Sequence, residues 1–171
     1  LLLRITPVPE GDQPGKLVVH NPCLSGGTLE IFMEPVMPPP LMVVVGDAPV
    51  ARSLEGIAGH LGWEVARVSE LDENGASGAA AVVVASHGRD EEPALRAALD
   101  AHVPYIGLVA SRKRGEAVIA SLDVCPSHMA QIHSPAGFDI GARTPSEIAL
   151  SIMSEIVSLR PRPSGRSFAD S

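Results

Sequence analysis

The chain has 171 residues, of which 45% are hydrophobic and only 3% aromatic, and this composition excludes a wholly disordered protein. Its net charge of -7 excludes broad electrostatic attraction to nucleic acid or to anionic lipid. Two cysteines cannot build a disulfide scaffold, and no apolar run reaches the ~20 residues of a membrane span, so we expect a cytoplasmic protein.

The N-terminal part of the chain is rich in β-forming residues. Short runs of this kind occupy residues 1–6, 16–20 and 28–33, and prolines and glycines separate them. This pattern predicts a short antiparallel β segment over residues 1–34, the remnant of an upstream domain. Residues 35–40 contain four prolines and are predicted to form a stiff, extended linker.

From Leu41 onward the sequence alternates between strand and helix patterns. Thr144-Pro145-Ser146-Glu147 has the form of a capping box at the start of the last helix. The alternation predicts an α/β fold over residues 41–160, a Rossmann-like parallel sheet flanked by helices. The polar tail, residues 161–171, is predicted to be disordered. The predicted strands are Leu41–Val45, 63–68, 79–85 and 105–110, and the predicted helices are 49–61, 91–101, 112–122 and Pro145–Leu159.

In open α/β sheets, ligands bind beyond the carboxyl ends of the strands, so the loops after the strands are the candidate sites. The first loop carries Gly46 and Ala48 as candidate cofactor-binding residues. Ala48 replaces the middle glycine of a dinucleotide fingerprint, and Asp47 adds a negative charge beside it. A tight turn without a nucleotide is the alternative interpretation. After the second strand, Glu70 stands where dinucleotide-binding proteins place the acid that holds a ribose.

The third loop contributes Ser86 and His87. A histidine here could donate to a ligand oxygen, or it could simply belong to the loop that starts the next helix. Because no second His or Cys lies at metal-ligand spacing, no metal site is predicted.

The fourth loop holds the main cationic cluster of this acidic chain. Ser111, Arg112 and Lys113, with Arg114 after them, lie where a helix begins. Positive charge at that end opposes the helix dipole, which indicates a site for phosphate or a similar anion. A solvated helix end or a salt bridge between subunits is the alternative.

Two further segments carry polar candidates. The glycine-rich segment 135–143 could return Asp139, with Gly141 nearby, to the sheet edge, or it could form a structural turn. Cys23 could offer a thiolate to a soft ligand, or it could be a buried, inert cysteine, which is the interpretation we favour. Cys125 lacks a second thiol for metal binding, and we interpret it as structural. No nucleophile and base are recognisable as a pair, so no catalytic residue is predicted.

Several blocks together resemble the XdhC/CoxI family of accessory factors for molybdenum hydroxylases. The blocks cover most of residues 23–157. They are Cys23-Leu24-Ser25-Gly26-Gly27, residues 29–35, Leu41–Val45 with the Gly46 turn, Leu61-Gly62, and residues 105–113, 132–142 and 144–149.

The resemblance implies a Rossmann-like domain preceded by a further N-terminal domain. It also implies an accessory factor that binds the molybdenum cofactor (molybdopterin) and helps load it into a xanthine dehydrogenase or CO dehydrogenase-type client. A sulfurtransferase that installs the sulfido ligand, and a homo-oligomeric state, are implied with it. The site residues Ser111, Arg112, Lys113, Asp139 and Gly141 match the family pattern.

The chain departs from that pattern at three loops. Ala48-Pro49 replaces the fuller glycine turn, Ser69-Glu70 replaces an acidic pair, and Arg89 replaces a second histidine. Two alternatives therefore accompany the accessory-factor hypothesis. One is an NAD(P)-binding oxidoreductase or a subunit that associates with xanthine dehydrogenase, and the other is a Rossmann module that only dimerises.

Overall fold

The computed structural model describes residues 2–11, 14–22, 26–34 and 36–159. Cys23 and the predicted disordered tail lie outside the described residues. The chain divides by its internal contacts into two compact units, of which the first ends at Pro38 and the second begins at Pro39. Every candidate site residue from Gly46 to Gly141 belongs to the second unit.

The first unit is a three-stranded sheet of β1 (Leu2–Thr6), β2 (Lys16–His20) and β3 (Leu29–Phe32), in the order β2-β1-β3. Strand β1 is antiparallel to β3 but parallel to β2, so the sheet is mixed rather than antiparallel throughout. The connection over residues 7–15 explains this pairing. Extended at about 3.3 Å per residue it reaches about 30 Å, which exceeds the ~17 Å length of a five-residue strand. The chain can therefore return to the start of β1 before β2 begins.

The second unit is built on a five-stranded parallel sheet. Its strands are β4 (Leu41–Val45), β5 (Glu64–Val68), β6 (Ala81–Val84), β7 (Ile106–Leu108) and β8 (Ile132–His133), in the order β5-β4-β6-β7-β8. All adjacent pairs are parallel. The helices are α1 (Pro49–His60), α2 (Glu73–Ala76), α3 (Glu91–Asp100), α4 (Arg112–Ser121), α5 (Pro126–Met129) and α6 (Pro145–Leu159). The predicted α/β class and parallel sheet are confirmed.

Helices cover both faces of this sheet. Met42 and Val44 of β4 pack in one cluster with residues of α1 and α6. Val43 and Val45, which point to the opposite face, pack in a second cluster with residues of α3. Burial on both faces explains why the strands read as continuous apolar runs rather than alternating ones.

The capping box at the last helix is confirmed. The Thr144 hydroxyl accepts from the Glu147 N–H at 3.3 Å, and the Glu147 carboxylate accepts from the Thr144 N–H at 2.9 Å. Three short elements, α2, α5 and β8, were not predicted. They span only two to four residues each, too few to show a hydrophobic period.

Strand order places a topological switch point beside β4. The chain leaves β4 through α1 to reach β5 on one side, then crosses through α2 to β6 on the other side. Connections therefore diverge above the carboxyl ends of β4 and β6. Such a divergence is where open α/β sheets leave room for ligands.

Candidate functional site

Among the cavities of the described residues, two at the carboxyl edge of the parallel sheet are lined by predicted site residues. The switch-point cleft, of about 350 Å³, lies beyond β4, β5 and β6 and is lined by Gly46, Asp47, Arg67, Glu70, Ser86 and Arg89, among others. The α4 cleft, of about 650 Å³, lies between the start of α4 and the segment after β8. Its lining includes Ser111, Arg112, Arg114, Phe138, Asp139 and Ile140. Both volumes fall in the range of small-molecule sites.

A tight turn at Gly46 closes one end of the switch-point cleft. Gly46 has a φ of +105°, and its N–H donates to the Val68 carbonyl at 2.8 Å. A Cβ on Gly46 would lie 2.5 Å from the Ala85 carbonyl oxygen. Only glycine fits this conformation at this distance from the backbone of the neighbouring strand.

The start of α1 is poorly equipped to hold a pyrophosphate. Ala48 is 4% exposed, and its N–H donates to the Ala85 carbonyl at 3.3 Å. Pro49, the first helical residue, has no N–H. Two backbone N–H groups that usually bind phosphate at such a turn are therefore not available here: that of Ala48 is already hydrogen-bonded, and Pro49 has none. The structure places Ala48 in the core, outside the cleft lining.

The switch-point cleft mixes both signs of charge. Glu70, the acid after the second strand, lines it, and Arg67 and Arg89 line it together with Asp47. Arg67 also forms an ion pair with Glu55 at 3.1 Å. Sequence reasoning had not assigned the two arginines to this cleft.

The loop after β6 has an unusual backbone. His87, Gly88 and Asp90 all have positive φ values, and the Ser86 hydroxyl donates to the Arg89 carbonyl at 2.5 Å. Ser86 lines the switch-point cleft. The exposed His87 is not part of the lining of either cleft.

The N-terminus of α4 forms one wall of the α4 cleft and is uncapped. Ser111 occupies the N-cap position, but its hydroxyl makes no cap hydrogen bond, and the first turn contains no acidic residue. Within the described part of the chain, no side chain accepts from the first N–H groups of the helix. Arg112 lines the cleft, whereas Lys113, one residue further on, lies outside its lining.

The opposite wall is the segment from Pro135 to Ala142. Ala136 N–H donates to the Leu108 carbonyl at 3.1 Å, and Phe138 N–H donates to the Ser151 carbonyl at 3.4 Å. Asp139 lines the cleft, and one of its carboxylate oxygens accepts from the Gly141 N–H at 3.4 Å. Gly141, with a φ of +73°, shapes the turn without lining the cleft.

A partly buried polar network anchors that wall to the last helix. The Glu155 carboxylate accepts from the Tyr105 hydroxyl at 2.6 Å and from the Gly137 N–H at 2.8 Å. It also lies 3.1 Å from Nδ1 of His133. Burial and the neighbouring Glu155 raise the pKa of Tyr105, so its hydroxyl stays a hydrogen-bond donor.

This network escaped the sequence analysis, although one signal was available. Glu155 falls three residues after Ile152, beside the buried side of α6, and a half-buried acidic residue there needs a partner. Of the ten predicted site residues, six line one of the two clefts, whereas Ala48, His87, Lys113 and Gly141 line neither. Gly46, Glu70 and Ser86 line the switch-point cleft, and Ser111, Arg112 and Asp139 line the α4 cleft.

Potential metal ligands are dispersed over the described part of the chain. Within the described ranges, no three His, Cys, Asp or Glu side chains come together as a candidate metal site. Cys125 is exposed, and a hydrogen bond with Ser127 lowers the pKa of its thiol. Among the helices of residues 36–159, none is long and apolar enough to span a membrane.

Comparison with known proteins agrees with this architecture. The chain is 27% identical to the "Uncharacterized protein YqeB" of Escherichia coli (strain K12) over 82% of this chain and 31% of that protein. It is 35% identical to a probable xanthine dehydrogenase subunit of Bacillus subtilis (strain 168) over 48% of this chain and 24% of that protein. The chain therefore spans less than a third of the length of these curated relatives.

A solved structure shares the fold. The crystal structure of a xanthine dehydrogenase from Bacillus halodurans matches 78% of this chain and 45% of that chain, with a TM-score of 0.58 and 20% identity. The model of the XdhC Rossmann domain family matches residues 42–156, which include both clefts and all strands of the parallel sheet except the first residue of β4. The chain accordingly belongs to the XdhC Rossmann domain family.

Proposed function

We propose that this chain is the cofactor-binding part of a noncatalytic accessory factor that holds molybdenum cofactor and passes it to a molybdenum hydroxylase. The single observation that carries the proposal is the uncapped start of α4 with Arg112 on the wall of the α4 cleft. Family membership supports the same interpretation, since a relative is named as a probable xanthine dehydrogenase subunit.

The two walls of the α4 cleft suit the two ends of such a ligand. Free N–H groups and the Arg112 guanidinium would bind the phosphate of molybdopterin. The Asp139 carboxylate could accept hydrogen bonds from N–H groups of the pterin. Phe138 and Ile140, which are 45% and 51% exposed, offer apolar surface to the planar ring. When bound, the cofactor would supply the redox-active molybdenum to the client enzyme.

Lys113 provides a matched control for the test. Arg112→Ala and Lys113→Ala each remove one positive charge from the first turn of α4, but only Arg112 lines the cleft. A charge-assisted hydrogen bond contributes about 1.5–3 kcal/mol, which corresponds to about 10- to 100-fold in Kd. We expect that increase in the Kd for molybdopterin in the Arg112→Ala variant and a change below about twofold in the Lys113→Ala variant.

Titration of the purified chain with molybdopterin, followed by equilibrium ultrafiltration, measures both constants. Equal Kd values in the two variants would contradict the assigned cleft, and absence of binding to the unmodified chain would contradict the function. The remaining parts of the proposal are a cytoplasmic location, a homo-oligomer, a xanthine dehydrogenase or CO dehydrogenase-type client and a sulfurtransferase as a further partner.

Glu70 favours one alternative function. Its place in the switch-point cleft suits the hydroxyls of a ribose, as an NAD(P)-binding protein would require. The negative charge of Asp47 disfavours a pyrophosphate there, and the Ala48 N–H cannot bind it because it already donates to the Ala85 carbonyl. A thermal-shift assay with NAD(H) and NADP(H) separates the two functions, because stabilisation by a dinucleotide and not by molybdopterin would favour the alternative.

A further inference from the structure

An ion pair lies at the edge of the α4 cleft. Arg114, which lines the cleft, places Nη2 2.5 Å from Oε1 of Glu91 at the start of α3. The same oxygen accepts from the Gly88 N–H at 3.0 Å. The Glu91 side chain is only 4% exposed, whereas that of Arg114 is 39% exposed. Arg114 and Glu91 together also line a neighbouring cavity of about 350 Å³. The buried carboxylate thus holds a cation that borders both this cavity and the α4 cleft.

This pair changes the charge that the cleft presents. A carboxylate buried to this degree requires a cationic partner, because removing it from water without one is strongly unfavourable. The charge of Arg114 is therefore offset by Glu91, although its other N–H groups remain possible donors. Of the two arginines in the cleft lining, Arg112 has no ion-pair partner among the described residues.

We propose that Glu91 is a specificity-determining residue which offsets Arg114 and so restricts the α4 cleft to ligands with a single phosphate rather than a diphosphate. This inference rests on the proposed function, because it takes the α4 cleft as the anion site.

Glu91→Gln tests the role directly. The glutamine carbonyl can still accept from Gly88 and Arg114, but it no longer carries the charge that offsets the guanidinium. Arg114 then becomes available to an anion in the cleft. We expect affinity for pyrophosphate to rise about tenfold or more, and affinity for inorganic phosphate to rise less, when both are measured by isothermal titration calorimetry at constant ionic strength.

Glu92→Gln is the matched control. Glu92 is the next residue of α3, and its carboxylate accepts from the Ser121 hydroxyl rather than from Arg114. Both substitutions change the net charge of the chain by the same amount. We expect Glu92→Gln to alter pyrophosphate affinity by less than about twofold.

A second pair of variants locates the gain. Combining Glu91→Gln with Arg114→Gln should abolish it, and a gain that persists without Arg114 would overturn the inference. So would a Glu91→Gln variant that binds pyrophosphate no better than the unmodified chain. Circular dichroism verifies folding, and if Glu91→Gln does not fold, Glu91→Met removes the same charge at similar volume and carries the same expectation.

The outcome can be separated from failure of the proposed function. Arg112→Ala tests whether the cleft binds molybdopterin at all, whereas the Glu91 variants test how many charges it accepts. Loss of binding in Arg112→Ala with no gain in Glu91→Gln would retain the cleft and reject the role of Glu91. A gain in Glu91→Gln that depends on Arg114, in a chain that does not bind molybdopterin, would retain the role of Glu91 and reject the function.

Discussion

Gly46→Ala probes the turn on which the switch-point cleft depends. The added Cβ would lie 2.5 Å from the Ala85 carbonyl oxygen, 2.7 Å from Ser86 Cα and 2.8 Å from the Ala85 carbonyl carbon. All three are backbone atoms, so no side-chain rotation can relieve the contact. Gly62 offers a control, since its φ is also positive, at +76°, but a Cβ there would meet nothing within 4 Å.

The two positions share one energetic cost and differ in another. Alanine at positive φ costs about 1–2 kcal/mol, of which about 0.4–1 kcal/mol is offset by the reduced entropy of the unfolded chain. Gly62→Ala should therefore lower the free energy of unfolding by about 0–1.5 kcal/mol. Gly46→Ala adds about 1–3 kcal/mol for forcing two strand ends apart, giving a loss of about 1–4.5 kcal/mol.

Urea denaturation followed by circular dichroism measures both values. We expect the midpoint for Gly46→Ala to lie well below that for Gly62→Ala, with similar slopes. Equal losses of stability would refute the reasoning, because the close approach between the Gly46 turn and the residues just after β6 would then carry no energetic weight.

Further predictions concern the last helix and the exposed thiol. Thr144→Ala should destabilise the chain by about 1 kcal/mol in urea denaturation, since it removes the cap of α6. Hydrogen bonds from the Arg143 and Thr144 N–H groups lower the pKa of Glu147, so its stabilising contribution should be complete above pH 4.5 and lost as pH falls further. Glu147→Gln should remove that part of the pH dependence of unfolding, and an unchanged profile would contradict it. Ser127→Ala should raise the thiol pKa of Cys125 and slow its alkylation near pH 8, as measured by mass spectrometry of the Cys125 peptide.

The parallel sheet was predictable from local patterns. Leu41–Val45 was predicted with its observed bounds, and so was the helix Pro145–Leu159. Continuous apolar runs mark strands that are covered on both faces, and Pro49 and Thr144 mark helix starts through backbone chemistry that acts over one turn. Such signals need no knowledge of distant residues.

The grouping of the candidate site residues was predictable only in part. The rule that ligands bind beyond the strand ends selected loops that do line clefts. It did not tell that Glu70 and Ser86 line one cleft and Arg112 and Asp139 line the other. Which cleft a residue lines depends on strand order and on how each loop folds back.

The sequence by itself determined the class of the fold, the starts of its four longer helices and the positive charge at the entrance of α4, since each arises from neighbouring residues. Tertiary structure alone decided that β1 pairs in parallel with β2, that Ala48 is buried, and that Glu91 holds Arg114. These are contacts through space, and Glu91 and Arg114 are 23 residues apart. Their energies depend on burial and distance, which no local pattern encodes.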